Sequence, residues 1–357
     1  MMPGFLAVAL AAGSFAASAR PAAGAGGCDG LERARAVMGT TARVVVCDAA
    51  GEAAAEAASA ALDAIERVDR TMSLYRPESD LSRLNREGFP GPVLLDPDLV
   101  SLLAESRTLS EETGGRFDVT VKPLMDHYGF YRDLGFEAPP DGLPGALRRV
   151  GWSRLRVDAA ASTASFGAAG MGVDLGGIAK GFALDRARAV LRERGIHRAL
   201  IDLGRQLMFL GPGPGPAGRW VVGIVDPRDD GRLLGQVEVP EGSLSTSAPS
   251  GRLVPAPAEA GGATPRSPVG HVLDPARGAV RGGPLQATVW SPSATRADAL
   301  STALLLAGSQ EARRRLQATG EAAVFVERAA DCGPGARLTA AGALRGGPER
   351  FVVEGRR

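Results

Sequence analysis

The stretch Val173-Asp-Leu-Gly-Gly-Ile-Ala-Lys-Gly-Phe182 decides how this chain of 357 residues is read. Val173 to Leu175 favours a short strand, the two glycines favour a tight turn, and the residues from about Ala179 to Arg194 predict a helix. N–H groups at the start of a helix attract phosphate, and glycine lets a ligand approach closely. Lys180 in the first turn would then meet a phosphate oxygen. The alternative is a strand-to-helix turn in which the glycines serve packing alone.

Outward from this stretch, strands and helices follow each other without a repeating strand–helix–strand rhythm. The spacing of apolar residues and turn residues predicts strands at 37–47, 200–203, 208–210, 220–226, 287–291 and 324–327, a hairpin at 154–166, and turns at 141–150 and 211–218. It predicts helices at 52–72, at 97–113 with Asp96 as N-cap, at 296–306 and at 310–318. Residues 255–270 are rich in proline and glycine and predict a mobile surface loop. The fold class is therefore α+β, with mixed or antiparallel sheets and flanking helices.

The chain divides into three unequal parts. Residues 1–28 are expected to be an export signal or a disordered leader, because residues 5–19 are an apolar run followed by small residues. Residues 29–345 are expected to be a single domain, and 346–357 a tail. The residues before Cys28 match a lipid-attachment sequence poorly. Two locations are therefore expected as alternatives: free in the periplasm, or anchored by a lipid at the outer face of the inner membrane. In an oxidising compartment Cys47 and Cys332 would be able to pair.

Composition excludes several classes of function. The 41 basic and 40 acidic residues leave a net charge of +1, which gives no support for a nucleic-acid partner. Aromatic residues are only 5% of the chain, which disfavours a surface for stacking bases. Three cysteines far apart in the sequence exclude a disulfide scaffold and a cysteine-based zinc site.

A carboxylate and a hydroxyl share one face of a helix predicted late in the chain. Asp298 and Thr302 are four residues apart, so their side chains lie one turn above the other. Such a pair suits a hard cation such as Mg²⁺, with water and substrate phosphates completing its shell. The alternative is an acidic residue favoured by the helix dipole and a threonine bonded to its own backbone.

His271 stands in the segment Gly270-His-Val-Leu-Asp-Pro275, before an apolar pair and an Asp-Pro turn. The chain has only three histidines, and this one is a candidate general base or donor to a phosphate. A structural role is the competing interpretation, since an isolated histidine carries little information.

Taken in order, several short blocks resemble the FAD:protein FMN transferase family, which is also called ApbE-like. Beside the glycine stretch, the blocks are Met38-Gly-Thr40, Met72-Ser-Leu-Tyr75, Gly115-Arg-Phe-Asp-Val-Thr-Val121, Trp220-Val-Val-Gly-Ile224, Leu244-Ser-Thr-Ser247, His271-Val-Leu-Asp-Pro275 and Ala297-Asp-Ala-Leu-Ser-Thr302. Each block alone is weak evidence, but six or more in the family's order are specific.

The resemblance implies an α+β fold with FAD in a central cleft and a defined reaction. The family splits the pyrophosphate of FAD with Mg²⁺, moves FMN onto a threonine hydroxyl of an acceptor protein, and releases AMP. Typical acceptors are subunits of membrane electron-transfer complexes. Because the nucleophile comes from the acceptor, no internal nucleophile is needed, and none is visible as a Ser/His/Asp or Cys/His arrangement.

The resemblance also implies roles for particular residues. The metal would be held by a backbone oxygen of Ala179 and the side chains of Asp298 and Thr302. The residues expected to bind FAD are Met38, Tyr75, Arg116, Phe117, Asp118, Lys180 and His271. Of these groups, Lys180, His271 and Asp298 are the candidate catalytic residues.

Two positions depart from the family's pattern and bear on substrate fit. Arg205 follows Asp202-Leu-Gly204, and Ala248 follows Ser245-Thr-Ser247, where the family usually has glycine. Two other functions therefore stay open. With water in place of threonine the site would be an FAD pyrophosphatase that yields FMN and AMP, and with an altered pocket it would be a non-catalytic flavin-binding protein.

Overall fold

The computed structural model describes residues 28, 30–138, 141–249, 253–254, 269–279, 285–317, 319–328 and 336–342. The expected leader, apart from residue 28, and the expected tail lie outside these residues, as do residues 255–268 of the expected loop. Among the helices in the described ranges, none combines the length and the apolar composition that crossing a membrane requires.

The architecture is an eight-stranded sheet with helices on one face and a long hairpin on the other. The strands are β1 Leu31–Val37, β2 Thr40–Val46, β3 Val93–Leu94, β4 Leu155–Asp158, β5 Thr163–Phe166, β6 Ala199–Leu203, β7 Gln206–Leu210, β8 Trp220–Asp226, β9 Asp229–Val239, β10 Gly242–Ser247, β11 Leu253–Val254, β12 Val269–Gly270, β13 Gln286–Ser291, β14 Ala322–Arg328 and β15 Ala336–Gly342. The α-helices are α1 Gly51–Met72, α2 Asp80–Glu87, α3 Pro97–Glu112, α4 Lys122–Tyr128, α5 Gly142–Arg148, α6 Ala179–Glu193, α7 Ala294–Ala307 and α8 Ser309–Leu316.

The large sheet has the order β1-β2-β6-β7-β10-β13-β14-β15, and all its pairings in the described chain are antiparallel. Strands β3, β5 and β4 form a small separate sheet, and β8 pairs with β9. Helices and antiparallel sheets in this combination confirm the α+β class.

Successive side chains of each strand point to opposite faces of the large sheet, so the core forms two layers. On β7, Met208 and Leu210 pack with α1 and α6, whereas Leu207 and Phe209 pack with the β8–β9 hairpin. The helix layer begins with α1, whose buried face includes Leu62, Ile65 and Val68, as its apolar spacing predicts. Helices α6 and α7 lie in this same layer, so the glycine stretch that leads into α6 lies between the sheet and the helices of this layer.

Several local predictions are wrong for identifiable reasons. Residues 37–47 are not one strand, because Met38 and Gly39 form a turn between β1 and β2. Residues 173–175 form no strand; the Asn85 side chain takes the place of a strand partner, since it donates to the carbonyl of Val173 at 2.9 Å and accepts from its N–H at 2.7 Å. The expected turn at 141–150 contains helix α5.

The pairing of Cys47 with Cys332 is also wrong, because Cys47 forms a disulfide with Cys28. Strand β1 pairs with β2 so that Leu31 lies opposite Val46, and the residues just before β1 therefore lie beside the end of β2. The Cα atoms of Cys28 and Cys47 are 5.1 Å apart, within the range of natural disulfides. Cys332 itself lies outside the described residues.

Candidate active site

The glycine turn before α6 is held by side chains rather than by a sheet. One carboxylate oxygen of Asp174 accepts the N–H of Gly176 at 2.7 Å, and the other accepts the hydroxyl of Tyr131. Asp174 and Tyr131 are both buried, so these bonds form away from water and fix the turn firmly. The turn therefore has a defined shape before any ligand binds.

Helices α6 and α7 touch where they begin, and glycine makes this possible. A Cβ atom on Gly181 would lie only 2.2 Å from the carbonyl oxygen of Ala294, so any larger residue would separate the helices. Each helix also caps the other. Asp298 of α7 accepts the N–H of Gly181 at 3.0 Å, while Asp185 of α6 accepts the N–H groups of Ala294 at 3.1 Å and of Thr295 at 2.9 Å.

This contact brings the three expected metal-binding residues together. Ala179 is the first residue of α6, and Asp298 is bonded to the same helix two residues later. Thr302 lies beside the glycine turn, because a Cβ atom on Gly177 would be 3.3 Å from its hydroxyl oxygen. The bond from the Gly181 N–H also gives Asp298 the helix-capping role of its structural interpretation.

Hydroxyl groups surround this carboxylate. Ser245 of β10 donates to Asp298 Oδ1 at 3.3 Å. Ser247, two residues along the same strand, lies 3.2 Å from the hydroxyl oxygen of Thr302 and 2.7 Å from that of Ser301. Because β10 packs against α7, alternate residues of the strand present their hydroxyls to the helix.

Within the described part of the chain, the buried Asp298 carboxylate is bonded by neutral donors. The residue is 4% exposed, and the two hydrogen bonds to its oxygens come from a backbone N–H and a serine hydroxyl. A carboxylate has about four lone-pair sites, so acceptor capacity remains. Buried charges are ordinarily paired or bound to a metal ion. Carboxylate and hydroxyl oxygens are ligands that Mg²⁺ accepts, so the residues present fit this cation.

Met38 occupies a strained backbone conformation. It has φ of +52° and is followed by Gly39 at +69°, as in the two-residue type I′ turns that join antiparallel strands. A methionine rarely adopts this conformation, and such strain concentrates at functional sites. The neighbouring β6–β7 turn contains Gly204 and Arg205, and a Cβ atom on Gly204 would lie 2.9 Å from the Thr40 side chain. Arg205 therefore lies at the same end of the sheet as Met38.

Tyr75 is exposed, but its ring packs on the buried network of the glycine turn. The residue is 56% exposed and meets Tyr131 edge-to-face, with ring centroids 6.1 Å apart. Since Tyr131 bonds Asp174, the sequence Tyr75, Tyr131, Asp174 and Gly176 forms a continuous set of contacts from the surface to the turn.

The three residues Arg116, Phe117 and Asp118 have different surroundings. Arg116 is paired with Glu311 of α8 at 2.6 Å. Phe117 is buried, and its ring lies 3.5 Å from a Cβ atom placed on Gly177. The carboxylate of Asp118 accepts the N–H and hydroxyl of Thr120 and the N–H of Trp152, and its burial raises its pKa despite these bonds. Of the three side chains, Phe117 is the one described in contact with the turn.

Lys180 and His271 lie on different elements, and only Lys180 is described in contact with the glycine turn. The ammonium group of Lys180 donates to the carbonyl of Gly176 at 3.4 Å, so this side chain folds back over the glycine turn. His271 is partly buried directly after β12. Its neighbour Val272 packs with α7 residues, and Leu273 packs with Leu124 of α4, so the histidine segment bridges these two helices.

Sequence reasoning missed the polar residues that support this site. Ser245, Ser247 and Ser301 surround the predicted ligands, and Tyr131 and Asn85 hold the segment that leads to the glycine turn. Ser245, Ser247 and Ser301 stand in two of the family blocks, but no role was assigned to them, and the alternating hydroxyls of Ser245-Thr-Ser247 are a further signal. Nothing local in the sequence connects that strand with α7.

Comparisons with known proteins match most of the chain. The ApbE family model covers residues 38–326. A protein of Treponema pallidum named FAD:protein FMN transferase is 29% identical over 309 residues, which are 81% of this chain and 83% of that protein. One of the same name from Vibrio cholerae is 28% identical over 282 residues, or 76% of this chain and 80% of the relative.

Solved structures of ApbE proteins are also similar to this chain. The crystal structure of the ApbE protein of Thermotoga maritima has a TM-score of 0.74 at 26% identity, covering 87% of this chain and 97% of that one. The apo flavinyl transferase ApbE of Pseudomonas stutzeri has a TM-score of 0.73 at 25% identity, covering 87% of this chain and 94% of its own. Both TM-scores show that these proteins have the same overall fold as this chain. On the extent of the family match, with the glycine turn, α7 and the intervening strands all inside it, this chain belongs to the ApbE family.

Proposed function

We propose that this protein is a Mg²⁺-dependent FAD:protein FMN transferase that moves FMN from FAD to a threonine hydroxyl of an acceptor protein and releases AMP. One observation carries the proposal. The buried carboxylate of Asp298 is bonded to the N–H of Gly181 at 3.0 Å, and Thr302 lies against the glycine turn in the same contact. Relatives that bear the name FAD:protein FMN transferase support the assignment of the substrate.

In this proposal Mg²⁺ is held by the Asp298 carboxylate, the Thr302 hydroxyl and a backbone oxygen of Ala179. The ion would neutralise charge on the pyrophosphate of FAD and orient its oxygens for displacement. Lys180 adds a positive charge over the glycine turn, where its ammonium group already contacts the Gly176 carbonyl. The aromatic rings of Tyr75 and Phe117 and the side chain of Met38 would contact the flavin nucleotide.

The reaction requires one bond to form and one to break. The threonine oxygen of the acceptor attacks the phosphorus of the FMN half, the bond between this phosphorus and the bridging oxygen breaks, and AMP departs with that oxygen. The proton of the threonine hydroxyl passes to a base, for which His271 is the candidate on the segment between α7 and α4. The chain supplies no nucleophile in this scheme.

The direct test is incubation of purified protein with FAD, Mg²⁺ and a threonine-containing subunit of a membrane electron-transfer complex. Covalent flavin fluorescence on the acceptor together with AMP release is the expected result. Free FMN in place of a flavinylated acceptor would identify a pyrophosphatase, and bound flavin without AMP release would identify a flavin-binding protein. Replacement of the acceptor threonine by alanine is the matched control.

We also propose that the mature protein is exported to the periplasm without a lipid on Cys28. The Cys28–Cys47 disulfide supports this, because disulfides persist in oxidising compartments and a lipid thioether would use the same sulfur atom. Mass spectrometry of the mature protein, isolated without reductant, should find the two cysteines linked and no lipid. A diacylglyceryl group on Cys28 would contradict the proposal.

A further inference from the structure

We propose that Ser247 is a positioning residue that turns the hydroxyl of Thr302 toward the bound divalent cation. This inference rests on the proposed function, because it assigns a role within the proposed metal site. It concerns a residue that touches neither the cation nor FAD in our scheme. Four groups meet where β10 packs on α7: the hydroxyls of Ser247, Ser301 and Thr302, and the backbone carbonyl of Asp298.

The chain of hydrogen bonds begins at a backbone carbonyl. The hydroxyl of Ser301 lies 2.8 Å from the carbonyl oxygen of Asp298. A carbonyl oxygen carries no hydrogen, so the proton in this bond belongs to Ser301. A serine hydroxyl has one proton to donate, and Ser301 gives it to this carbonyl at 2.8 Å rather than to the more distant hydroxyl oxygen of Ser245 at 3.4 Å.

The remaining directions follow from that assignment. Ser247 and Ser301 are 2.7 Å apart, and since the Ser301 proton is committed, Ser247 donates to Ser301. Ser247 and Thr302 are 3.2 Å apart, and since the Ser247 proton is now committed, Thr302 donates to Ser247. The protons thus run in one direction, from Thr302 through Ser247 and Ser301 to the carbonyl of Asp298.

This direction matters because a neutral hydroxyl binds a cation through its lone pairs. The Thr302 proton must be placed away from the cation, and Ser247 accepts it there. The lone pairs are then left for the side of Thr302 that lies against Gly177, where a Cβ atom would be 3.3 Å from the hydroxyl oxygen. Groups that orient a metal ligand in this way commonly change metal affinity by about 10- to 100-fold when they are removed.

The neighbouring Thr246 provides a matched control. It is exposed, and its hydroxyl bonds that of Thr288 on β13 at 2.9 Å rather than any residue of α7. Successive side chains of a strand point to opposite faces, so Thr246→Ala removes a hydroxyl from the same strand without touching the Thr302 proton. Ser247→Thr keeps a hydroxyl at the position and tests for rescue.

The experiment measures binding of Mn²⁺ to the full chain by electron paramagnetic resonance, without FAD or turnover. We expect Ser247→Ala to weaken Mn²⁺ binding about tenfold or more, Thr246→Ala to leave it unchanged, and Ser247→Thr to retain most of the affinity. In a Thr302→Ala background, Ser247→Ala should have no further effect, because the hydroxyl it orients is gone. A purely structural serine would lower the melting temperature while leaving Mn²⁺ affinity intact.

Two results would overturn the inference, and they are distinguishable. If wild-type protein binds Mn²⁺ and Ser247→Ala binds it equally well, the positioning role is wrong while the proposed function stands. If wild-type protein binds no Mn²⁺, or Asp298→Asn binds it as well as wild type, the metal site itself is wrong. Should Ser247→Ala fold poorly, Ser301→Ala interrupts the same proton chain one bond further along, and unaltered Mn²⁺ affinity there would overturn the inference.

Discussion

Two carboxylates, the partly buried Asp126 of α4 and the buried Asp298 of α7, have opposite electrostatic surroundings. Asp126 is paired with Lys122 one helical turn away, at 2.7 Å, and the same ammonium group lies 3.7 Å from the centre of the Phe136 ring. Asp298 is bonded to a backbone N–H and a serine hydroxyl, and no ion pair in the described part of the chain includes it. One site is neutralised by the protein, and the other has acceptor capacity left for a cation from outside.

On the proposed function, Asp126 carries a structural charge and Asp298 a functional one. At Asp126, burial raises the pKa above its usual value, the Lys122 charge opposes that rise, and the nearby Asp174 adds to it. At Asp298 the compensating positive charge would be Mg²⁺ from solution. The chain has only two lysines, and one of them serves the structural pair.

The largest expected effect is on activity at Asp298. Asp298→Asn should lower AMP release from FAD by at least about 100-fold at millimolar Mg²⁺, because several kcal/mol of charge stabilisation depend on the cation. The fold should persist, since an asparagine oxygen can accept from Gly181 and its amide can donate to Ser245. Initial rates across a Mg²⁺ titration, with thermal unfolding measured in parallel, test both statements.

The control for this change is Asp126→Asn at the neutralised site. It should lower stability, because Lys122 is left buried without its partner, and should leave the half-saturating Mg²⁺ concentration unchanged. Near wild-type AMP release from Asp298→Asn, or a Mg²⁺ dependence altered only in Asp126→Asn, would reverse the assignment of the two carboxylates.

The next largest expected effect is the loss of stability when Lys122, the partner of Asp126, is replaced. Lys122→Met should lower the free energy of unfolding by up to about 3 kcal/mol at neutral pH, because it leaves the partly buried Asp126 carboxylate unpaired. Without the lysine, the folded-state pKa of Asp126 rises further above its unfolded value. The folded protein then binds the extra proton, so the loss is smallest in acid and grows as pH rises above about 4.

Urea denaturation at acidic and neutral pH measures this dependence. The double variant Lys122→Met, Asp126→Leu removes both charges and should recover much of the lost stability. A deficit in Lys122→Met that is the same at both pH values would show that Asp126 is not the group responsible.

The smallest effect is expected at Tyr131, whose hydroxyl bonds the Asp174 carboxylate beside the glycine turn. Tyr131→Phe keeps the ring against Tyr75 and removes the hydroxyl that bonds Asp174. A hydrogen bond to a charged group contributes about 1.5 kcal/mol to stability, so unfolding should become easier by roughly that amount. Mg²⁺ dependence should change little, since Asp174 still holds Gly176. A larger change in Mg²⁺ dependence than in stability would place Tyr131 with the functional carboxylate instead.

The parts of the fold that the sequence predicts are those decided locally. Helix α1 follows from its apolar spacing, and α3 begins after Asp96, whose side chain accepts the N–H of Asp98, as an N-cap does. The α+β class also follows, because glycine turns between short strands indicate antiparallel pairing. These features need only a few consecutive residues to be recognised.

The remaining parts depend on contacts between distant segments. Asn85 replaces a strand partner for Val173 from 88 residues away, and Glu311 pairs with Arg116 across 195 residues. Ser247 lies 55 residues before Thr302, so its place beside the proposed ligand has no local signal. The order of family blocks led to the expectation that Asp298 and Thr302 bind a metal, whereas the neighbouring hydroxyls of Ser245 and Ser247 became visible only through the packing of β10 on α7.

The reciprocal capping of α6 and α7 has a consequence for anyone who redesigns this protein. Asp185 secures the start of one helix and Asp298 the start of the other, so the two helices form a single interlocked unit. Transplanting the site to a new scaffold would require moving both helices with their crossing preserved at Gly181. A graft of the glycine turn or of the α7 segment alone would leave a frayed helix end in place of a binding site.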